Sequence, residues 1–453
     1  MKLRPLFILL AALTLSATVR SAPGTLIPRP QEATRLDGQF VFTTGIPVVY
    51  ASGLEPLAEY IADYIPLQRL DDRTWTAGAA LRLSLDETMD DESYRLTVTP
   101  QGVQVVGADY GGVFNGLQTL LQLLPPEVYT GQATLPLAVG ACRIEDAPRF
   151  HYRGMMLDVV RTWMDADRVK RHIDLLSHLK INKLHLLLSN DEGWRLEIKS
   201  HPELTEIGAW RGGDSPVMPV YGKWDEKYGG FYTQDEMRDL IRYAAVRNVE
   251  IIPELDLPGH SRNFARVHPE ILCDYTLDLR PTAGYDYRSV WCASREENYR
   301  LLADILGELA ALFPSEYLHI GGDEADRTAW KSCPRCRHLA RELGGVDQVQ
   351  CYLVEHAEKF LAEHGRTMIG WDEILKNNLR STSTVISYRG QRGGIEAANR
   401  GYDVVMSPGE ILYFDWYQAD PSTQPRAMYG YSPIKKMYAF EPVPADPESA
   451  ARN

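Results

Sequence analysis

From about residue 150 onward, apolar residues come in short unbroken runs, each followed by a polar loop and then by apolar residues at helical spacing. The runs are GMMLDVV, KLHLLLS, VEIIPEL, YLHIGG, TMIGWDE, TVISYR and DVVMSP, and the helical stretches among them include 165 to 179, 235 to 247, 295 to 313 and 346 to 364. A strand that is apolar at consecutive positions is buried on both faces. Strands of that kind alternating with helices define a parallel sheet. Seven such runs within roughly 260 residues predict a (β/α)8 TIM barrel more than an open sheet.

Upstream the rhythm differs. Residues 24 to about 145 alternate short strand-like runs with turns: FVFTTGIPVVYA, ALRLSLD and YRLTVTPQGVQVVG. In the last of these, Tyr94, Leu96 and Val98 alternate with polar positions before a Pro-Gln-Gly turn, and Val103, Val105 and Val106 begin a return strand, which is a hairpin pattern. GGVFNGLQTLLQLLPP then places Phe114, Leu117, Leu120 and Leu121 on one helical face and stops at Pro125 and Pro126. The prediction is a small α+β domain over 23–147, without evident chemistry, followed by the barrel over 148–453. Ahead of both, Lys2 and Arg4 precede an apolar run from Leu6 to Leu15 that is too short to span a bilayer. That is the pattern of a secretory signal peptide over 1–22, so the protein is expected to be secreted or periplasmic, with no integral membrane segment.

The chain of 453 residues, 44% hydrophobic and 24% charged, suits about two globular domains with sizeable cores. Its formal charge of -13, from 48 basic and 61 acidic side chains, argues against nucleic acid or an anionic membrane surface as the main partner. A neutral or cationic ligand fits better. Six cysteines are too few to define the fold. Cys273 and Cys292 flank a polar loop, and a bridge between them is expected in an oxidising compartment. Cys333-Pro-Arg-Cys336 has the spacing of half a zinc site or a redox pair, but no second CxxC or HxxxH completes a tetrahedral set. A local disulfide or spare thiols are expected there, and no metal.

In a barrel, chemistry collects at the C-terminal ends of the strands. Here those ends carry Asp158 and Arg161, then Asn190, Asp191 and Glu192, then Glu254, Asp256 and His260. Asp323 and Glu324 follow the fourth strand, Trp371, Asp372 and Glu373 the fifth, and Tyr388 and Arg389 the sixth. Polar residues at strand ends are ordinary, because loops face water. Acids, tryptophans and arginines at nearly every one are not. In YLHIGGDEA, alternation turns Leu318 and Ile320 toward the helices and His319 and Asp323 toward the barrel axis. Glu324 falls where the strand gives way to loop, so both acids reach one pocket from the same side. Such a pair cannot straddle a glycosidic bond as acid and nucleophile. A like charge nearby does favour the neutral form of one partner, leaving one acid to donate a proton while the other stays an anion.

HIGGDE, with RGMMLDVVRTW, LLLSNDEGWRLEIK, GGFYTQDEMRDLIRYAAVRNVEIIPELDLPGHS, MIGWDE and SPGEILYFDWY, closely resembles the β-N-acetylhexosaminidases of glycoside hydrolase family 20 over roughly residues 24 to 445. The resemblance implies an exo-acting enzyme that removes terminal non-reducing GlcNAc or GalNAc from oligosaccharides or glycoconjugates, without a cofactor. It also implies retention through substrate assistance: the carbonyl oxygen of the sugar's own 2-acetamido group attacks the anomeric carbon to give an oxazolinium intermediate. Glu324 would protonate the glycosidic oxygen and then activate water. Asp323 would hydrogen-bond the acetamido N–H, and Tyr413 would hold the acetamido oxygen. Arg161 and Asp415 correspond to groups on the sugar hydroxyls, Trp371 and Tyr388 to walls of the box around the acetamido methyl, and Asp191, His260, Asp256 and His319 to supporting residues.

Two departures from the family pattern stand out. SYRG puts Tyr388 where a second tryptophan is common, and the eighth strand, with a further tryptophan and a sugar-binding glutamate, would lie beyond Asn453. Residues 415 to 440 would form the connection toward it. Asp256, His260 and His319 have metal-ligand chemistry, but their context is that of the hydrolase, and no metal is expected. The competing readings are a non-catalytic carbohydrate-binding homologue and a disaccharide-releasing member of the same family. The intact Asp323–Glu324 pair favours an enzyme.

Overall fold

A computed structural model describes residues 25–213, 226–274, 289–376 and 379–444. The chain forms two compact units, one made of residues up to His151 with His178–Lys180, the other of the remainder. No helix among the described residues is long and apolar enough to cross a membrane.

The first unit is a seven-stranded sheet with helices Glu55–Ala62 and Tyr110–Leu123. The expected hairpin pairs Tyr94–Thr99 with Gly102–Gly107, and Tyr94, Leu96, Val98, Val103 and Val105 are buried. The second helix starts where the Asp109 carboxylate accepts from the Gly112 N–H at 2.7 Å, and it buries Phe114, Leu117, Leu120 and Leu121.

The second unit holds seven parallel strands in chain order: β1 Gly154–Asp158, β2 Lys183–Asn190, β3 Glu250–Leu257, β4 Tyr317–Gly321, β5 Thr367–Trp371, β6 Thr384–Ser387 and β7 Asp403–Met406. Each pairs in parallel with the next, and Gly193–Trp194 folds back antiparallel on β2. The sheet is a curled portion of a TIM-type barrel; among the described residues β1 and β7 do not pair with each other. Helices α1 Ala166–His178, α2 Gln234–Val246, α3 Glu296–Leu312, α4 Asp347–Glu363 and α5 Arg392–Asn399 alternate with the strands. A capping box between Thr233 and Glu236 starts α2. Past β7, Trp416–Tyr417 and Met428–Tyr431 form a small parallel pair of their own, followed by a helix at Ile434–Tyr438. The connection anticipated over 415 to 440 is thus itself structured.

Alternation along the apolar strands sorts two layers. Leu184, Leu186, Leu188, Ile251, Leu255, Leu318, Ile320 and Val385 join the large cluster against the helices. Ile252, Ile369, Trp371 and Ile386 form a thinner inner layer. Full burial of such a side chain contributes about 1.5–3 kcal/mol, so the outer layer dominates stability. The inner layer leaves room for polar groups.

Those groups centre on Glu254. Its carboxylate lies 2.8 Å from His185 Nε2 and 3.0 Å from His319 Nδ1, and it accepts the Trp371 indole N–H at 3.0 Å. Burial opposes its charge, but His319 and His185 outweigh burial and hold its carboxyl well below the usual range. Removing water makes every unmade bond costly here, so this network fixes the Trp371 ring.

The cysteine expectation needs correcting. None of the six forms a disulfide, and Cys273 and Cys292, instead of bridging each other, both approach Cys336. The fold brings the Cys333–Cys336 turn between them.

Candidate active site

The turn after β4 is built by backbone close approach. Gly321 has φ +72 and Gly322 φ +102, and a Cβ on Gly321 would sit 2.1 Å from Asp256 Oδ1, so only glycine fits. The chain then runs through Asp323 to Glu324, itself at φ +47. That left-handed conformation, costly for a side-chain-bearing residue, is what carries the second acid to the same side as the first.

His260 stands between them, also at positive φ. Its Nε2 lies 3.4 Å from Asp323 Oδ2 and 3.3 Å from Glu324 Oε2, and its Nδ1 lies 2.9 Å from Asp191 Oδ2. Asp191 in turn accepts the Arg262 N–H at 3.0 Å. Burial works against an imidazolium, yet the bonds to Asp191, Asp323 and Glu324 win and raise the His260 pKa well above its ordinary value. The side-chain atoms of Asp256, His260 and Asp323 lie within 4.8 Å of one another and form a compact acid–base cluster.

Burial and then the charge of Asp323 push the Asp256 carboxyl well above the usual range. Asn190 Nδ2 donates to its Oδ2 at 3.0 Å. Asp323 is recessed, with 16% of its side chain exposed, whereas Glu324 is open at 44%. Only Glu324 is freely reached by water.

On the neighbouring wall, Trp371 meets Tyr388 edge-to-face at 5.3 Å between ring centroids. The Tyr388 hydroxyl donates to Glu373 at 3.1 Å. Burial pushes the Glu373 carboxyl up to about 7 against the pull of Arg389, 3.3 Å away. Tyr413 has its pKa raised by burial and then by the charge of Asp323, which sets its phenol within electrostatic reach of that carboxylate.

At the end of β1, Asp158 accepts backbone N–H groups of Val160 and Arg161 at 2.9 and 2.8 Å and pairs with the Arg161 guanidinium at 2.8 Å. Arg161 Nε also faces the wholly buried Glu192 at 3.6 Å. Burial raises the Glu192 pKa despite Arg161. Asp415 stays exposed, and partial desolvation raises its pKa against the pull of Arg161.

The fold thus brings together Asp323, Glu324, His260, Asp191 and Asp256, and beside them Trp371, Tyr388 and Tyr413; Arg161 and Asp415 share a second charged corner. His319, expected as a supporting residue, is wholly buried against Trp371, at 4.9 Å between centroids, and paired with Glu254. It serves the site through that tryptophan. Glu254, Glu192 and Glu373 were seen as strand-end acids but not as site members. The inward alternation of Ile252, Glu254 and Asp256 in VEIIPELDL carried the signal for the first.

Removing one partner of a buried pair costs about 3–5 kcal/mol, and both His260 and Asp191 are nearly inaccessible. A His260→Gln variant is therefore expected to lose stability of that order in denaturant titration. The sign follows from the shifts. The raised His260 pKa contributes stability in full below its unfolded value, about 6.5, and this is lost as pH rises through the higher folded value. The lowered Asp191 pKa contributes above its unfolded value, about 3.9, and this is lost on acidification. The wild-type advantage should be greatest between about pH 4 and 6.5 and shrink on both sides. A pH-independent difference would rule out the ion pair.

A curled parallel barrel with carboxylates, aromatics and a guanidinium along its C-terminal rim is an arrangement shared with sugar-cleaving enzymes, and the comparisons place the chain among the glycoside hydrolases. Residues 150–453 match the model of the glycosyl hydrolase family 20 catalytic domain, and residues 24–147 that of the family's domain 2. The chain belongs to glycosyl hydrolase family 20. A beta-hexosaminidase of Porphyromonas gingivalis is 38% identical over 435 residues, covering 93% of this chain and 55% of that protein. One from Vibrio furnissii is 38% identical over 433 residues, covering 94% and 69%. This chain therefore spans little more than half of the first relative's length. Among solved structures, an exo beta-N-acetylglucosaminidase from Vibrio harveyi in complex with N-acetylglucosamine superposes with a TM-score of 0.83 at 34% identity, covering 94% of this chain and 67% of that one. An N-acetyl-beta-hexosaminidase of Streptomyces plicatus in complex with Thio-NAglucal gives 0.78 at 30%, covering 92% and 81%.

Proposed function

We propose that the protein is an exo-β-N-acetylhexosaminidase acting on terminal non-reducing GlcNAc or GalNAc residues, with retention and through the substrate's own acetamido group. The observation that carries this reading is that Asp323 Oδ2 and Glu324 Oε2 both approach the same His260 nitrogen. Two carboxylates gathered on one atom work from one side of a sugar, so the nucleophile must come from elsewhere. Glu373, the acid on the neighbouring wall, is already engaged by Tyr388 and Arg389.

In this reading Glu324 is the acid and then the base, being the carboxyl open to a leaving group and to water. Asp323 accepts the acetamido N–H and faces the positive charge that grows as the oxazolinium ring closes. Tyr413 donates to the acetamido oxygen. Trp371, fixed by Glu254, and Tyr388 enclose the methyl, and Arg161 with Asp415 receives sugar hydroxyls. Oligosaccharides or glycoconjugates bearing such a terminus are the substrates, and the N-terminal signal pattern supports secretion or a periplasmic location.

The test is dependence on the acetamido group. An aryl N-acetyl-β-glucosaminide should be cleaved at least about 10³-fold faster than the matching aryl β-glucoside, because an intramolecular nucleophile carries a large effective concentration. Equal rates would overturn the substrate-assisted route. Binding of N-acetylglucosamine without turnover of either compound would favour the carbohydrate-binding reading.

A further inference from the structure

Away from the carboxylate cluster, four of the six cysteines converge. The sulfurs of Cys273, Cys292, Cys333 and Cys336 all lie within 4.8 Å of one another. Cys336 Sγ is 3.6 Å from Cys273 Sγ and 3.5 Å from Cys292 Sγ. These distances discriminate between two chemistries. A disulfide requires its sulfurs about 2.05 Å apart. A tetrahedral zinc ion with Zn–S bonds of about 2.3 Å holds its sulfurs about 3.8 Å apart.

We propose that these four cysteines form a closed tetrathiolate site for a structural zinc ion. Reading the linear sequence for paired motifs missed it, since only Cys333-Pro-Arg-Cys336 has a ligand spacing. The other two ligands come from a separate loop. Leu272 pairs antiparallel with Trp291, and the Cys292 N–H donates to Ile271 O at 2.7 Å, so a short bridge sets Cys273 and Cys292 side by side. Cys333 immediately precedes the helix Pro334–Leu343 and Cys336 lies in its first turn, so the turn between them holds both sulfurs on one side.

Cys292, Cys333 and Cys336 are buried and Cys273 partly so. Four protein sulfurs with no open position make a structural rather than a catalytic site, and an all-thiolate tetrahedral set selects a soft ion over magnesium or calcium. Binding requires each thiol to give up its proton to solvent.

The site would tie the loop after β3 to the loop after β4. Between the cysteines and the catalytic cluster, the Trp330 indole donates to Trp291 O at 2.9 Å, the Trp291 indole donates to Ser261 Oγ at 3.0 Å, and the Trp291 N–H donates to Pro258 O at 3.1 Å. Pro258 and Ser261 flank the Gly259–His260 turn. The metal would thus brace the backbone that aims His260 at Asp323 and Glu324.

Elemental analysis and native mass spectrometry of the full chain, purified without reductant and incubated with zinc chloride before desalting, test this. The expected result is one zinc per chain, with all six cysteines titrating as thiols after denaturation in chelator. Cys142→Ser, outside the cluster, should keep the metal, and Cys333→Ser combined with Cys336→Ser should lose it. Should the double variant not fold, cobalt(II) exchanged into the wild type should show sulfur-to-metal charge-transfer absorption. Disulfides in place of thiols, iron in place of zinc, cobalt without that absorption, or zinc retained by the double variant would each overturn the assignment.

Discussion

Glu324→Gln is expected to lower kcat on an N-acetyl-β-glucosaminide with an ordinary sugar leaving group by about 10²–10⁴-fold, the range that a positioned general acid and base supplies. Glutamine keeps the shape of the side chain and its contact with His260 but has no proton to give a departing oxygen. Glu324, at positive φ and exposed to solvent, has the open carboxyl that the proposed acid and base roles require. An aryl glycoside whose leaving group departs without protonation should lose less in its first step. Comparing kcat on the two substrates separates acid from base. Equal rates for wild type and variant on both would remove Glu324 from the chemistry.

The strands of the barrel were legible because burial on both faces forces unbroken apolar runs, a pattern that survives without knowledge of neighbours. The same alternation correctly turned Leu318 and Ile320 outward and His319 inward. The adjacency of Asp323 and Glu324 was legible too. What periodicity could not carry was the company those acids keep. His260 lies 63 residues before Asp323 in the chain, and its position between the carboxylates depends on two strained backbone turns meeting. The raised pKa of Asp256 depends on burial beside Asp323, which a list of acids cannot express. The cysteine cluster shows the limit most clearly, since two of its members are supplied by a loop with no recognisable spacing. Glu254 is different: an acid at an inward position of an apolar strand was visible, and only its partners His185, His319 and Trp371 had to come from other strands.

Asp323→Ala is expected to cost about 10²–10³-fold in kcat, comparable to removing one preorganised electrostatic partner of a transition state. Its carboxylate is recessed beside the Asp256 carboxyl and the His260 imidazolium, within the field that raises the Tyr413 pKa. Little charge is present on the acetamido nitrogen of bound substrate, and much develops as its carbonyl oxygen closes on the anomeric carbon. An anion at Asp323 therefore stabilises the transition state more than the ground state, which places its effect in kcat rather than KM. Asp323→Asn retains the size of the side chain and removes the charge; a comparable fall in that variant would assign the loss to electrostatics and not to a cavity. Inhibition by free N-acetylglucosamine should weaken far less than kcat falls, since in the proposed mode of binding Arg161, Trp371 and Tyr388 still hold the sugar. An unchanged kcat with a raised KM would reduce Asp323 to a binding group, and an unchanged kcat and KM would refute the substrate-assisted route in this protein.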